Sequence, residues 1–216
     1  MMSHVLLRHA LGAEHHMGMP AERVRRWTTA EVRELMDESR PWPRYELIDG
    51  ELIVTPAPSW THQWAVALLW RALHEYLSRE PVGVPMMSPS DLELEEGHIT
   101  QPDVFVVPIS GGQHPKAWPE VKALLVAVEV LSPSNARYDR VDKRRFFQRI
   151  AVPEYWVVDL DARVFERWTP TDARPEVIDG TLAWHPAGAS AAFALALPRY
   201  FAEVHRDGEA PPGEAI

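Results

Sequence analysis

The fold is decided by residues 123–134, which read ALLVAVEVLSPS. The first six residues are continuously apolar, which is typical of a strand buried on both faces in the centre of a sheet. Ser132-Pro133-Ser134 ends this strand, because proline cannot donate to the hydrogen-bond ladder of a sheet. A helical pattern follows over residues 137–150, and residues 154–159 predict the next strand. A strand, a helix and a strand in this order predict a right-handed crossover between parallel strands.

Hairpins are predicted on both sides of this crossover. Asp49-Gly50, the strongest short-range signal for a hairpin turn, separates an apolar run at 45–48 from another at 51–55. A second hairpin is expected across Asp161, between strands at 154–159 and 163–169. These hairpins and the crossover together predict an α/β fold with a mixed sheet flanked by helices.

The remaining elements follow from capping residues and periodicity. Thr28 and Glu31 form a capping-box pair that predicts a short helix to about Glu38, and Ser59 is placed to cap a helix that runs to about Arg79. Further strands are predicted at 82–86, 91–95 and 101–107, near Val177 and Trp184, and at 193–197, with a last turn near Tyr200. We expect one domain over residues 27–206, between tails at 1–26 and 207–216.

Composition narrows the classes of function. The chain has 216 residues, 22 Lys and Arg against 31 Asp and Glu, a net charge of −9, and no cysteine. Disulfides, thiolate metal sites and a cysteine nucleophile are therefore excluded. No apolar stretch approaches the ~20 residues that a membrane span needs, and without a signal-peptide pattern we expect a cytoplasmic protein. Phosphate-binding glycine motifs are missing, so no nucleotide cofactor is expected.

Two carboxylates stand out against this apolar background. Glu129 interrupts the central strand, where a carboxylate is costly unless it is paired or bound to a metal. Asp103 lies at the mouth of the predicted strand 101–107. Two carboxylates on neighbouring strands suit a hard divalent cation such as Mg²⁺, with Mn²⁺ as a second possibility. The alternatives are a strand end at which Glu129 reaches solvent or an arginine, and an ordinary strand-start role for Asp103.

A lysine on the crossover helix is the third candidate. On a wheel of 100° per residue, Lys143 lies at the centre of the face that carries Phe146, Phe147 and Ile150, with Asp139 one turn before it. The chain has three lysines beside 19 arginines, so a lysine here suggests that a compact point charge is required. The alternative is a lysine whose stem packs on Phe146 while its ammonium reaches solvent.

The same segment carries a local charge of +4, although the chain as a whole is acidic. This charge favours contact with a phosphate backbone, and we predict Arg137, Arg140 and Arg144 as nucleic-acid contacts. An ordinary solvated helix face is the alternative, because most runs of charge are solvated. His62 and the tryptophans are less informative about function. A lone histidine is usually a packed or exposed residue. The tryptophans are core residues by default, and Trp60 and Trp64 are weakly supported as base-stacking surfaces.

These motifs resemble a known nuclease superfamily. Pro102-Asp103 followed by Val128-Glu129-Val130-Leu131-Ser132-Pro133-Ser134 resembles the PD-(D/E)XK superfamily of restriction-endonuclease-like nucleases. More narrowly, the chain is similar to the Uma family in three further segments: YELIDGEL at 45–52, Asp139 to Lys143, and VPEYWVVD at 152–159. The similarity runs from about Trp27 to Trp168.

The resemblance implies a restriction-endonuclease-like core, a homodimer and a metal-dependent endonuclease that acts on DNA. It implies Asp103 and Glu129 as metal ligands, together with the Val130 carbonyl, and Glu46 as a further acidic position. The superfamily places its lysine two residues after the second acid, where this chain has Leu131, so we expect Lys143 to supply that charge. The alternative function is a catalytically impaired nuclease fold that binds DNA or a protein partner; a hydrolase of a small phosphorylated molecule is a third.

Overall fold

The computed structural model describes residues 25–36, 42–109 and 111–206. Its helices, in chain order, are α1 (Thr29–Leu35), α2 (Trp60–Arg79), α3 (Ala136–Tyr138), α4 (Arg144–Arg149) and α5 (Leu197–His205), with a 3-10 turn at Trp118–Glu120 and a π-helical segment, Asp139–Lys143, that joins α3 to α4. Its strands are β1 (Arg44–Ile48), β2 (Glu51–Thr55), β3 (Gly83–Met87), β4 (Val104–Pro108), β5 (Val126–Val130), β6 (Glu154–Asp159), β7 (Val164–Trp168), β8 (Glu176–Ile178), β9 (Thr181–Trp184) and β10 (Phe193–Ala196).

Six strands form one mixed sheet in the order β3-β4-β5-β6-β7-β8. Strands β5 and β6 are parallel, with Glu129 opposite Val157, whereas the other neighbouring pairs in this sheet are antiparallel. The predicted crossover and the predicted mixed sheet flanked by helices are therefore confirmed. Two separate hairpins, β1–β2 and β9–β10, are added to this core.

Strand β5 separates two hydrophobic layers because its side chains alternate between faces. Val126, Val128 and Val130 pack in the core formed with α2 and α5. Ala127 lies in the opposite core with Phe146 and Phe147 of α4. Glu129 follows Ala127 by two residues and therefore belongs to the α4 side of the sheet.

Helix ends are where the sequence-based prediction holds best. The Thr28–Glu31 capping box is present, and Ser59 accepts the His62 N–H at the start of α2. Helix α1 ends at Leu35, short of the predicted end near Glu38, which lies outside the described residues. Helix α5 is longer than the predicted turn near Tyr200, because a buried stripe with helical spacing packs it on the core: Leu197, Tyr200, Phe201 and Val204.

Two other predicted elements differ from the structure. Residues 91–95 form no strand, because only Leu92 pairs, through a single bridge to Thr100. Residues 137–150 are not one regular α-helix, since the π-helical segment interrupts it. The predicted tails fall almost entirely on residues outside the described ranges, so the domain boundaries stay predictions. None of the helices within those ranges is long and apolar enough to cross a membrane.

Candidate active site

Four predicted site residues come together at one end of β4 and β5. Glu46 on β1, Asp103 just before β4, Glu129 on β5 and Lys143 on the π-helical segment are each at most 5% exposed. Asp103, Glu129 and Lys143 line a cavity of about 630 Å³, together with Val130. Glu46 lies against Lys143. Glu46 and Lys143, 97 positions apart in the chain, thus share one buried site, as the sequence analysis expects.

Lys143 is the centre of the first of two charged groups, which we call the lysine cluster: Glu46, Glu129, Asp139 and Lys143. The Lys143 Nζ atom lies 2.8 Å from Glu46 Oε2, 3.0 Å from Glu129 Oε1 and 3.3 Å from Asp139 Oδ1. The Lys143 ammonium is buried. The alternative in which its stem packs on Phe146 while the ammonium reaches solvent is therefore wrong. Glu129 is likewise buried and paired with this lysine.

The lysine cluster has more anions than one ammonium can neutralise. Burial raises the pKa of Glu129 well above its usual range, and nearby carboxylates raise it further. Burial also raises the pKa of Asp139 to about 6. Although burial alone would lower the pKa of Lys143, the three surrounding carboxylates raise it well above its usual value. Lys143 is therefore a fixed positive charge, whereas Glu129 and Asp139 bind protons more readily than ordinary carboxylates do.

The π-helical segment places two of its four charged residues on the inner side. Asp139 and Lys143 are buried within it, and α4 continues with the buried pair Phe146 and Phe147. The Tyr155 hydroxyl donates to the Asp139 carbonyl at 2.9 Å, which satisfies one of the carbonyls that the irregular turn exposes. Single π-helical turns inside α-helices are frequent at functional sites.

Asp103 is the centre of the second group, the aspartate cluster: Arg44, His62 and Asp103. Arg44 Nη2 lies 3.1 Å from Asp103 Oδ1, and His62 Nε2 lies 3.1 Å from Oδ2. The Val130 N–H donates to the same Oδ2 at 3.0 Å. Burial alone would raise the pKa of Asp103, but the His62 hydrogen bond and the charges of His62 and Arg44 hold it well below its usual range. Asp103 is therefore an ionised carboxylate fixed by three donors.

Sequence reasoning missed the role of His62. Its Nε2 lies 3.0 Å from the Val130 carbonyl oxygen as well as next to Asp103. Both neighbours accept hydrogen bonds, so Nε2 carries the proton, while Nδ1 is buried without a partner. The available signal was its position on α2, because His62 shares the buried face with Ala65, Val66 and Leu69 at helical spacing.

Arg44 was also missed, although strand periodicity marks it. Arg44, Glu46 and Ile48 alternate along β1 and are all buried. A buried arginine requires an acidic partner, and Asp103 is that partner. The hairpin prediction began at Tyr45, one residue too late to include it.

The predicted nucleic-acid contacts do not form one free basic patch. Arg140 lines the cavity but is paired with Asp159 at 2.6 Å and Glu166 at 2.7 Å. Arg144 stacks over Trp168 and donates to Gln148. Arg137 is exposed. Their assignment as DNA contacts stays a prediction.

The donor set around the cavity suits a hard divalent cation. Asp103, Glu129 and the Val130 carbonyl supply oxygen ligands, which Mg²⁺ and Mn²⁺ prefer. Asp139 Oδ1 is buried without a hydrogen-bond partner, although it lies 3.3 Å from Lys143 Nζ. Across residues 25–36, 42–109 and 111–206, no three acidic or histidine side chains are already grouped as metal ligands. The residue types around the cavity therefore fit a hard divalent cation.

A family match covers most of this architecture. The sequence profile described as "Uma2: Putative restriction endonuclease" matches residues 29–197, from α1 to the start of α5. The chain belongs to the Uma2 family. This match confirms the resemblance drawn from the sequence motifs. The comparison with curated proteins finds no relative.

A solved structure shares the fold of this Uma2 chain. It is described as "a putative nuclease belonging to DUF820 from Anabaena variabilis" and superposes with a TM-score of 0.64. The alignment covers 82% of this chain and 98% of the other, at 21% sequence identity. The likeness confirms the nuclease-type fold that the sequence motifs imply.

The Uma2 chain departs from the wider superfamily at Leu131. This side chain is partly buried and packs against the apolar core on the α4 side of the sheet. The ammonium of Lys143 nevertheless lies 3.0 Å from Glu129. A lysine ammonium thus lies beside Glu129, but it belongs to the crossover segment and not to strand β5.

Proposed function

We propose that this protein is a metal-dependent endonuclease that hydrolyses phosphodiester bonds in DNA. The observation that carries the proposal is the convergence of Asp103, Glu129 and Lys143 on one cavity, in a chain of the Uma2 family. The description of the Anabaena variabilis structure as a nuclease supports the same reaction class. Mg²⁺ is the proposed cation, with Mn²⁺ as a substitute.

Asp103, Glu129 and the Val130 carbonyl would hold the cation, and Glu46 would hold its water shell. A bound divalent cation neutralises charge on the scissile phosphate and lowers the pKa of water. In the aspartate cluster, Arg44 and the Val130 N–H keep Asp103 ionised and oriented as a ligand for the cation. Oxygen ligands that are ionised and fixed need little reorganisation when they bind.

Lys143 acts as an electrostatic group rather than as a base. Its raised pKa keeps the proton on Nζ, so it can stabilise negative charge that grows on the phosphate. The overall reaction adds the oxygen of water to phosphorus and breaks one P–O ester bond. The products are a phosphomonoester and an alcohol, with the proton of water transferred to the leaving oxygen or to solvent.

Plasmid cleavage in Mg²⁺ or Mn²⁺ tests the proposal. Asp103→Asn and Glu129→Gln preserve side-chain volume and remove the negative charge, so each should lower the cleavage rate by about 100-fold or more. Glu75→Gln is the matched control, because Glu75 is an exposed residue on α2 and its loss should leave the rate unchanged. Chelation with EDTA should stop cleavage by the unaltered protein.

Cleavage that continues unchanged in both Asp103→Asn and Glu129→Gln would overturn the assignment. A contaminating nuclease would show the same behaviour, and the paired variants therefore also control for purity. Circular dichroism spectra matching that of the unaltered protein establish that the variants are folded.

One observation favours a second function. Lys143 is already surrounded by three carboxylates, as expected of a cluster that is only structural. A catalytically impaired module would bind DNA or a protein partner equally well in EDTA. Calorimetric titration with Mn²⁺ separates the two, because only the nuclease requires cation binding that Glu129→Gln abolishes.

Assembly and location are also proposed from the family resemblance. We infer a homodimer in the cytoplasm, and light scattering of the purified chain would test its oligomeric state. A monomer that cleaves DNA would overturn the dimer and leave the nuclease proposal intact.

A further inference from the structure

The basic segment offers little free charge to a DNA duplex. Of its six basic residues, four are engaged with partners inside the fold: Arg140, Lys143, Arg144 and Arg149. The other two, Arg137 and Arg145, are exposed. A protein that grips duplex DNA through its backbone neutralises about 6–10 phosphates. Two arginines on a chain of net charge −9 instead suit contact with a few nucleotides.

The depth of the site points in the same direction. Asp103 is 5% exposed and Glu129 is 2% exposed, so both lie at the bottom of the cavity rather than on a flat surface. Ser59, Thr61 and Ser134 also line this cavity. The phosphate of a flexible single strand reaches carboxylates this buried more readily than the phosphate of a rigid duplex does.

An exposed aromatic residue lies in the chain between two residues that line the cavity. Trp60 is the first residue of α2 and is flanked by Ser59 and Thr61, both of which line the cavity. Its side chain is 74% exposed, the largest value among the exposed large apolar side chains of the described residues. An exposed aromatic side chain is the usual platform on which an unpaired base stacks. A duplex offers no such base face along its length.

We propose that the site takes an unpaired DNA strand, with a base stacked on Trp60 while the adjacent phosphate enters the cavity. This inference rests on the proposed function and adds its substrate class. The occupant is an extended single strand or a single-stranded flap. Every base has a face that can stack on an indole, so no particular base sequence is required.

Fluorescence anisotropy tests the inference. The probe is a fluorescein-labelled strand of about 15 nucleotides, alone or annealed to its complement. Binding is measured in EDTA, in which metal-dependent cleavage cannot consume the probe, and again in Ca²⁺. We expect tighter binding of the single strand. Trp60→Ala should weaken that binding by about 5- to 100-fold, whereas Trp60→Phe should retain most of it.

Trp118→Ala is the matched control. Trp118 is partly exposed, at 37%, and lies in a separate apolar cavity beside β3. Its loss should leave single-strand binding unchanged. Both tryptophans are exposed, so their variants should fold, and unchanged thermal midpoints would confirm that they do.

Equal binding of duplex and single strand, equal effects of the two alanine variants, or no binding in either buffer would overturn the inference. If the duplex is cleaved in a manner that depends on Asp103 but not on Trp60, the proposed nuclease stands and the substrate class is wrong. If the single strand binds through Trp60 but no DNA is cleaved with any cation, the substrate class stands and the nuclease activity is wrong.

Discussion

The two charged clusters at the cavity have opposite compositions. In the aspartate cluster one carboxylate, Asp103, is held by an arginine, a histidine and a backbone N–H. In the lysine cluster one ammonium, Lys143, is surrounded by three carboxylates, an excess of two negative charges when all four groups are ionised. The first cluster is electrostatically satisfied, and the second lacks positive charge. A divalent cation between Asp103 and Glu129 would supply what the second cluster lacks.

Removal of Lys143 should have the largest effect on stability. Lys143→Met keeps the length of the side chain but leaves three buried carboxylates without their cation. We expect a loss of about 3–5 kcal/mol in the free energy of unfolding, as is typical when one member of a buried ion pair is removed. Urea denaturation in EDTA measures it.

Arg140→Met is the control for that experiment. Arg140 also pairs with two carboxylates, but its side chain is 35% exposed, so its loss should cost about 1 kcal/mol or less. Equal losses in the two variants would show that burial does not distinguish the lysine cluster from an ordinary surface ion pair.

Removal of Arg44 should cost less than removal of Lys143. Arg44→Met leaves Asp103 with two of its three donors, His62 and the Val130 N–H. We expect a loss of about 1.5–3 kcal/mol, the range for a hydrogen bond to a charged group. The comparison between the clusters would fail if Arg44→Met destabilised the protein more than Lys143→Met, as measured by the same urea titration.

Much of this arrangement follows from sequence patterns that are local. The apolar run up to Glu129, the Asp49-Gly50 turn and the inward face of residues 137–150 predicted the sheet, the first hairpin and the buried position of Lys143. These features depend on neighbours within a few residues of one another. The structure and the family match confirm the fold that they indicate.

The rest depends on contacts between distant segments. The pairing of Arg44 with Asp103 spans 59 positions, and that of His62 with Val130 spans 68. Periodicity marks both side chains as buried but cannot name their partners. The π-helical segment was also beyond a wheel of 100° per residue, because such a wheel assumes regular α-helical turns and leaves no place for the extra residue of a π-helical turn.

Divalent cations should stabilise the folded protein through Glu129. A ligand that binds only the folded state at about 100 times its dissociation constant adds about 2.7 kcal/mol to the free energy of unfolding. We expect Mn²⁺ to raise the thermal midpoint of the unaltered protein and of Glu75→Gln, and to have little effect on Glu129→Gln. An equal rise in Glu129→Gln would place the cation outside the lysine cluster.

A further effect is expected on the pH dependence of stability. Burial raises the pKa of Asp139 to about 6 in the folded protein, from a usual value of 3.8. The folded state therefore holds a proton that the unfolded state has lost, and the stability that this proton contributes disappears as the pH rises from about 4 through 6. In EDTA the free energy of unfolding should fall between about pH 4 and pH 6. Asp139→Asn should flatten this fall without abolishing it, because the raised pKa of Glu129 acts in the same direction.

Urea denaturation at several pH values measures both slopes. If Asp139→Asn leaves the slope unchanged, the pKa of Asp139 is not raised in the folded protein. The contrast between the lysine cluster and the aspartate cluster would then depend on Glu129 alone.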